Sequence, residues 1–203
     1  MLSSCVSWRI MSTTLFILSL SYLLGCFTTG YYLVRLLTGQ DIRVLSSGNV
    51  GSRNVGRLLG AKGFILTFIG DAGKGMLAVW LAHRLGGGQL LATAAVVAVT
   101  AGHIWPVQLR FRGGKGFATF VGGMILLDPL LLLLGTALAA LLYPLLRRTS
   151  QCGLVALACT PLLLPILHWR AGAPLLPPAF PLYLLLVLLV LYAHRENIPK
   201  VFP

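Results

Sequence analysis

The sequence predicts an all-α polytopic membrane protein of about seven transmembrane helices, with the N-terminus outside and the C-terminus cytoplasmic. Three observations carry that expectation. The 203 residues are 57% hydrophobic and only 10% charged, with mean hydropathy +0.89, where a soluble domain carries about 25% charged residues. Apolar runs of about 20 residues, the length that spans a bilayer as a helix, recur along the whole chain. Basic residues gather in alternate connections between those runs, the asymmetry that orients helical membrane proteins. The formal net charge of +12 would suggest nucleic acid in a soluble chain. Here cationic cytoplasmic loops account for it, and no nucleic-acid partner is expected. Residues 1–203 read as one transmembrane domain.

The first run is Thr13–Leu37. Leu23-Leu24-Gly25-Cys26 resembles a lipoprotein cleavage site behind Arg9, but the apolar run continues past Cys26, which favours a span over a cleaved leader. The next clear runs are Phe64–Ala82, Leu90–Leu109, Gly153–His168 and Leu176–Ala193. Between them lies Phe117–Leu146, which as one helix would measure about 45 Å at 1.5 Å per residue. That overshoots a hydrocarbon core of roughly 30 Å. Lys115 precedes this run and Arg147-Arg148 follow it, so both ends belong on the cytoplasmic side. The run therefore crosses twice, with Asp128-Pro129 at the outer turn. Its first leg, Phe117–Leu127, is short and is expected to start inside the membrane, continuing a glycine-rich loop. Irregular backbone at that depth is tolerated only where protein or a wet cavity surrounds it, so a site is expected there. In the resulting topology Arg9, Arg84 and Arg170 fall outside, Lys74 lies within a helix, and the other basic residues face the cytoplasm. Trp80 and Trp169 sit at outer ends and Trp105 at an inner end, as interfacial anchors do.

Four cysteines, Cys5, Cys26, Cys152 and Cys159, show no CxxC spacing, and no His/Cys cluster has metal-ligand spacing. Neither a disulfide, a metal nor another cofactor is expected. Gly113-Gly114-Lys115-Gly116 and Gly70-Asp71-Ala72-Gly73-Lys74-Gly75 lack the early glycine and the Ser/Thr of a P-loop. A nucleotide-driven transporter is thus disfavoured. Asp71 and Lys74, at i and i+3 inside a span, read first as a mutual ion pair and second as part of a polar cavity. In the first loop, Asn49, Arg53 and Arg57 would form one anion-binding face if a helix ran through them. Arg110, Arg112, Lys115 and His103 crowd the glycine turn, where Gly113 and Gly114 N–H groups are candidates to hold a phosphate or an oxyanion. His103 by itself reads as a helix-packing residue. His194-Arg195-Glu196-Asn197 closes the last span, with His194 and Asn197 on one face. No His-x-x-x-x-Asp pair and no Gly-x-Ser-x-Gly elbow occurs, so acyl-CoA-type and serine-hydrolase machinery find no support. The polar segments 41–62, 110–116, 147–151 and 194–197 are expected to converge on one face.

Together these blocks resemble the bacterial integral-membrane acyl-phosphate:glycerol-3-phosphate acyltransferase family. The matching segments are Ser21-Tyr22-Leu23-Leu24-Gly25, Asp41-Ile42-Arg43, Ser47-Gly48-Asn49-Val50-Gly51 with Asn54 and Arg57, Asp71 with Lys74-Gly75, Gly102-His103 with Pro106, Phe111 through Thr119, and His194-Arg195-Glu196-Asn197-Ile198. They occur in family order over nearly the whole chain. The resemblance implies transfer of a fatty acyl group from acyl phosphate to the sn-1 hydroxyl of glycerol 3-phosphate, with membrane lipids as the surroundings. It implies Ser47, Lys115, His194 and Asn197 as catalytic residues. Arg57, Asn49, Gly113, Gly114, His103 and, as a weaker match, Ser150 are the implied substrate-binding residues. It further implies a bacterial cytoplasmic (inner) membrane location with the active site facing the cytoplasm. The alternative reading is a secondary transporter of a phosphorylated solute, which would want internal repeats and a midplane site.

Overall fold

The computed structural model describes residues 2–196, among which it is all-helical with no strand. The helices are α1 (Leu2–Cys26), α2 (Thr29–Thr38), α3 (Ser52–Arg84), α4 (Gln89–Ile104), α5 (Phe117–Leu127), α6 (Pro129–Leu146), α7 (Thr149–Arg170) and α8 (Phe180–Ala193). Short 3-10 turns occupy Ile42–Val44 and Val107–Leu109. Five stretches among the described residues are long and apolar enough to cross a membrane: Met11–Thr38, Ser52–Arg84, Gln89–Leu109, Pro129–Leu146 and Thr149–Arg170. Phe117–Leu127 and Phe180–Ala193 are shorter apolar helices. Leu36, Leu133, Leu141, Leu145 and Leu162 stand largely exposed, an outer surface suited to lipid rather than water.

Two sequence expectations about the spans need correction. The first run is not one helix: α1 ends at Cys26, and Phe27-Thr28 separates it from α2. Hydropathy does not register the break, because its residues are themselves apolar or small. The run ending at Leu109 likewise stops as a helix at Ile104, ahead of Pro106, where the missing N–H and the fixed ring disfavour helix. By contrast, Asp128-Pro129 does divide the long run. Asp128 accepts the Leu131 N–H at 2.9 Å, and Pro129 opens α6, the usual chemistry of a helix start.

Helix α4 is the axis of the bundle, with Ala92, Ala95, Val96 and Val99 fully buried. Around it gather Ala78 and Val79 of α3, Phe120 and Met124 of α5, Leu157 of α7, and Leu186 and Val190 of α8. Glycines let the helices cross closely, since in lipid packing rather than water exclusion drives association. A Cβ on Gly102 would overlap the Tyr22 carbonyl, and one on Gly75 the Thr119 carbonyl. On Gly122 it would overlap the Ala72 carbonyl. These last contacts set the middle of α5, residues 119–123, against Ala72–Gly75 of α3. That level is roughly 20 Å along α3 beyond Gly60, at 1.5 Å per residue. A second cluster, Val34, Ile42, Val50 and Val55, is fully buried and pins the first loop to α2 and α3.

Neighbouring glycines of α3 should therefore respond oppositely to alanine. Gly73→Ala meets nothing within 4 Å and should stabilise the helix by about 0.5–1 kcal/mol. Gly75→Ala drives a methyl into a backbone carbonyl and should cost about 1–3 kcal/mol. Thermal unfolding midpoints of the purified proteins in one detergent check the pair; equal midpoints would contradict this packing.

Candidate active site

The first loop is shaped by Asp41, Arg43 and Asn54. Arg43 donates to Asp41 through its backbone N–H, Nε and Nη2, at 2.9, 3.0 and 2.6 Å, and through Nη1 to the Leu109 carbonyl at 2.8 Å. The hydrogen bonds from Arg43 hold the Asp41 carboxyl below the usual carboxylate range. Asn54 is buried in α3 and knits residues 45–49 together. Its Nδ2 donates to the Leu45 and Asn49 carbonyls at 3.2 and 2.9 Å, and its Oδ1 accepts the Ser47 N–H at 3.2 Å. Gly60, at φ 69° and ψ −166°, adopts backbone open essentially to glycine alone. It bends Ser52–Leu59 away from the rest of α3. Arg53, on that bent segment, donates to Thr149 Oγ1 at 2.5 Å.

The second loop folds back on the end of α4. Gly113 N–H donates to the Ile104 carbonyl at 3.1 Å and Gly114 N–H to the His103 carbonyl at 3.0 Å. Gly116, at φ 76°, then starts α5 with no side-chain cap. Helices α3 and α7 also begin without side-chain caps, at Gly51 and Arg148. These three helix starts meet at a cavity of about 980 Å³, lined among others by Ser52, Gly116 and Ser150. Helix N-termini offer unpaired N–H groups and a positive dipole end to anions. Arg53, Arg57, Arg112, Lys115, Arg148 and Arg195 add cations to the same walls. Against them stand Glu196 and Asp71, the latter paired with Lys74 at 3.2 Å. Phe64, Phe68, Phe117 and Leu154 supply an apolar side. The site is thus fit to hold anionic oxygens beside an oily chain.

His194 follows the end of α8. Its Nδ1 lies 2.7 Å from the Val190 carbonyl, and a carbonyl only accepts, so Nδ1 carries the proton. Burial first, and then the charges of Lys115 and Arg53, push its pKa below the ordinary imidazole value, against the Val190 hydrogen bond. The ring is therefore neutral at pH 7 and presents Nε2 as an acceptor.

The model of the family described as glycerol-3-phosphate acyltransferase matches residues 15–203. The chain belongs to the glycerol-3-phosphate acyltransferase family. It is 40% identical over 188 residues to glycerol-3-phosphate acyltransferase 1 of Desulfitobacterium hafniense (strain Y51), covering 91% of this chain and 88% of that protein. It is also 40% identical over 183 residues to the glycerol-3-phosphate acyltransferase of Pseudomonas aeruginosa (strain LESB58), covering 90% and 93%. The fold is similar to crystal structures of PlsY, an integral membrane glycerol 3-phosphate acyltransferase. The glycerol 3-phosphate form gives TM-score 0.80 at 33% identity, over 93% of this chain and 91% of that one. The lysophosphatidic acid form gives TM-score 0.76 at 31% identity.

In this acyltransferase Ser47, Asn49, Arg57, His103, Gly113, Gly114, Lys115, Ser150 and His194 all line the one cavity. Asn197 lies outside the described residues. Two expectations change, and a third is extended. Asn49 precedes α3 and folds onto the Gly51 N–H at 2.8 Å, so the anion-binding face of α3 is Arg53 and Arg57 without it. The Gly113 and Gly114 N–H groups are committed to α4 carbonyls, so the donors at the turn are Lys115 and the start of α5. Asp71 and Lys74 do pair, but Lys74 has three further partners, and both Asp71 and His103 line the cavity. Arg112, Arg148, Thr149 and Gln151 also line it; the sequence placed them only within the converging segments 110–116 and 147–151, without a substrate-binding role. Their signal was position beside the two cationic turns.

Proposed function

We propose that the chain transfers a fatty acyl group from acyl phosphate to the sn-1 hydroxyl of glycerol 3-phosphate, giving 1-acylglycerol 3-phosphate (lysophosphatidic acid) and inorganic phosphate. The observation that carries this reading is the cavity itself. It gathers cations and three uncapped helix starts beside an apolar wall of Phe64, Phe68, Phe117 and Leu154. Two phosphate-bearing substrates, one with an oily tail, need that combination. Arg57 and Lys115 neutralise substrate phosphate, with Ser47, Ser150 and Asn197 as hydrogen-bonding partners. The sn-1 oxygen attacks the acyl carbonyl carbon, the carbon–oxygen bond to phosphate breaks, and phosphate leaves with the electron pair. Purified protein given labelled glycerol 3-phosphate should form product and release phosphate with acyl phosphate, and form none with acyl-CoA alone. Robust turnover on acyl-CoA alone would refute the donor.

The hydroxyl proton passes to a substrate phosphate oxygen, because a phosphate dianion with a second pKa near 6 is a competent base and phosphate is a good leaving group. His194, neutral with Nε2 as acceptor, positions glycerol 3-phosphate. A general base typically contributes 10²–10⁴-fold. His194→Gln, whose amide reaches the Nε2 position, should therefore retain clearly more activity than His194→Ala. It should also keep the shape of the pH–rate profile. Equally dead variants, together with a wild-type limb below pH 6.5, where the lowered His194 pKa falls, that vanishes in a residual-activity variant, would make His194 the base.

The chain crosses the bacterial cytoplasmic (inner) membrane seven times, N-terminus outside, with the cavity on the cytoplasmic side. Supporting this, α3, α5 and α7 begin, and α4 and α8 end, at the cavity, and its loops carry most of the basic residues. In a background cleared of native cysteines, a cysteine at Asp128 should react with an impermeant thiol reagent from outside. One at Ser52 should react only from inside. Labelling of both from the same side is incompatible with this topology.

A further inference from the structure

Three buried residues at the cavity wall, Asp71 and His103 lining it and Lys74 packed against them, have no part in the chemistry described so far. Asp71, Lys74 and His103 are 0%, 7% and 3% exposed. The Lys74 ammonium donates to the Gly25 carbonyl at 3.0 Å, the Phe27 carbonyl at 2.8 Å and His103 Nδ1 at 2.7 Å. It forms its ion pair with Asp71 Oδ1 at 3.2 Å. That carboxyl oxygen also accepts the Thr29 N–H, the first of α2, at 3.3 Å. The pair thus complements both halves of the broken helix, the cation on the carbonyl end of α1 and the anion on the N–H end of α2. The Cys26 carbonyl between them takes Gln108 Nε2 at 2.5 Å.

The third member connects this knot to the cavity. His103 Nδ1 accepts from Lys74, which leaves Nε2 at the far side of the ring, toward Gly114. A Cβ on Gly114 would overlap Nε2, with the ring carbons Cε1 and Cδ2 at 2.9 and 3.0 Å. Gly114 N–H also bonds the His103 carbonyl. The imidazole is therefore the floor on which the turn rests, and the next residue is the half-buried Lys115.

We propose that Asp71, Lys74 and His103 are positioning residues: they lock the α1–α2 break to α3 and α4 and set the height of the 113–116 turn, so that Lys115 reaches a substrate phosphate. The inference rests on the acyl-transfer reading above. Lys74→Met strands carbonyls and the Asp71 carboxylate inside the bundle and is a poor test, because it threatens folding. Gly114→Ala is a better one. Its methyl meets the His103 ring and lifts the turn. KM for the phosphate-bearing substrates should rise about tenfold or more, the smallest loss expected from weakening a hydrogen bond to a charged group, with kcat changed less. His103→Asn keeps an acceptor near the Nδ1 position for Lys74 and removes the far side of the ring. Gly114→Ala should therefore be tolerated in the His103→Asn background, a non-additivity that independent sites do not show. His103→Gln, which loses the Nδ1 acceptor, should behave worse than His103→Asn at equal unfolding midpoint. Protection of Lys115 from an amine-modifying reagent by inorganic phosphate should follow the same order without any turnover. That readout separates the two ideas, since a wild-type protein inactive on acyl phosphate would sink the acyl-transfer reading alone. Additive effects of Gly114→Ala in the two backgrounds, or a kinetically normal Gly114→Ala, would overturn the positioning role.

Discussion

The irregular half of this bundle depends on a buried ammonium. Backbone carbonyls freed by a helix break have no water to turn to inside a membrane, and each left unpaired costs several kcal/mol. Lys74 answers two of the three carbonyls at the α1–α2 break, and Gln108 answers the other. Its charge is balanced by Asp71 one turn earlier on the same helix. A buried charge pair is expensive unless its remaining hydrogen-bonding capacity is filled; three further acceptors fill that of the ammonium, while Asp71 Oδ2 is buried without a hydrogen-bond partner.

The rest of the architecture follows from where that break sits. Once α1 stops at Cys26, Gly25 lies against the backbone of α4 at Val99 and Gly102, and α4 can run down the centre of the bundle. Its last turn then carries the folded-back 113–114 segment on the His103 and Ile104 carbonyls. That arrangement brings the start of α5 deep alongside α3, between the first loop and the start of α7. A short helix beginning inside the bundle has a purpose here: its uncapped N-terminus faces a cavity instead of lipid.

The cavity's electrostatics are one-sided for the same reason. Its acids are few, and Asp71 is already committed to Lys74, so the arginines and Lys115 project a net positive field into a space with low-dielectric walls. The field acts back on His194, helping to keep the imidazole neutral. A neutral ring with Nδ1–H held by Val190 offers an acceptor rather than a second cation. On the proposed acyl-transfer reading, that acceptor takes a glycerol hydroxyl and the cations around it take the phosphates.

Hydropathy and charge placement alone determined the helical membrane class, the helix break at Asp128-Pro129 and the cationic face. These are properties of neighbouring residues, and lipid leaves the chain little choice but helix. The candidate residues were also legible, because they sit in dense polar blocks that an apolar chain does not otherwise tolerate. The interruption at Phe27-Thr28 was not legible, since an apolar break looks like span until its carbonyls find Lys74, dozens of residues away. Nor was the role of Asn54, whose side chain organises a loop that precedes it. The glycine turn was misjudged in a related way: exposed N–H groups at Gly113 and Gly114 were a fair local reading, and only the return of the turn onto α4 consumed them. Hydrogen-bond partners distant in sequence are set by packing, which is why the tertiary structure alone decided which donors the site keeps.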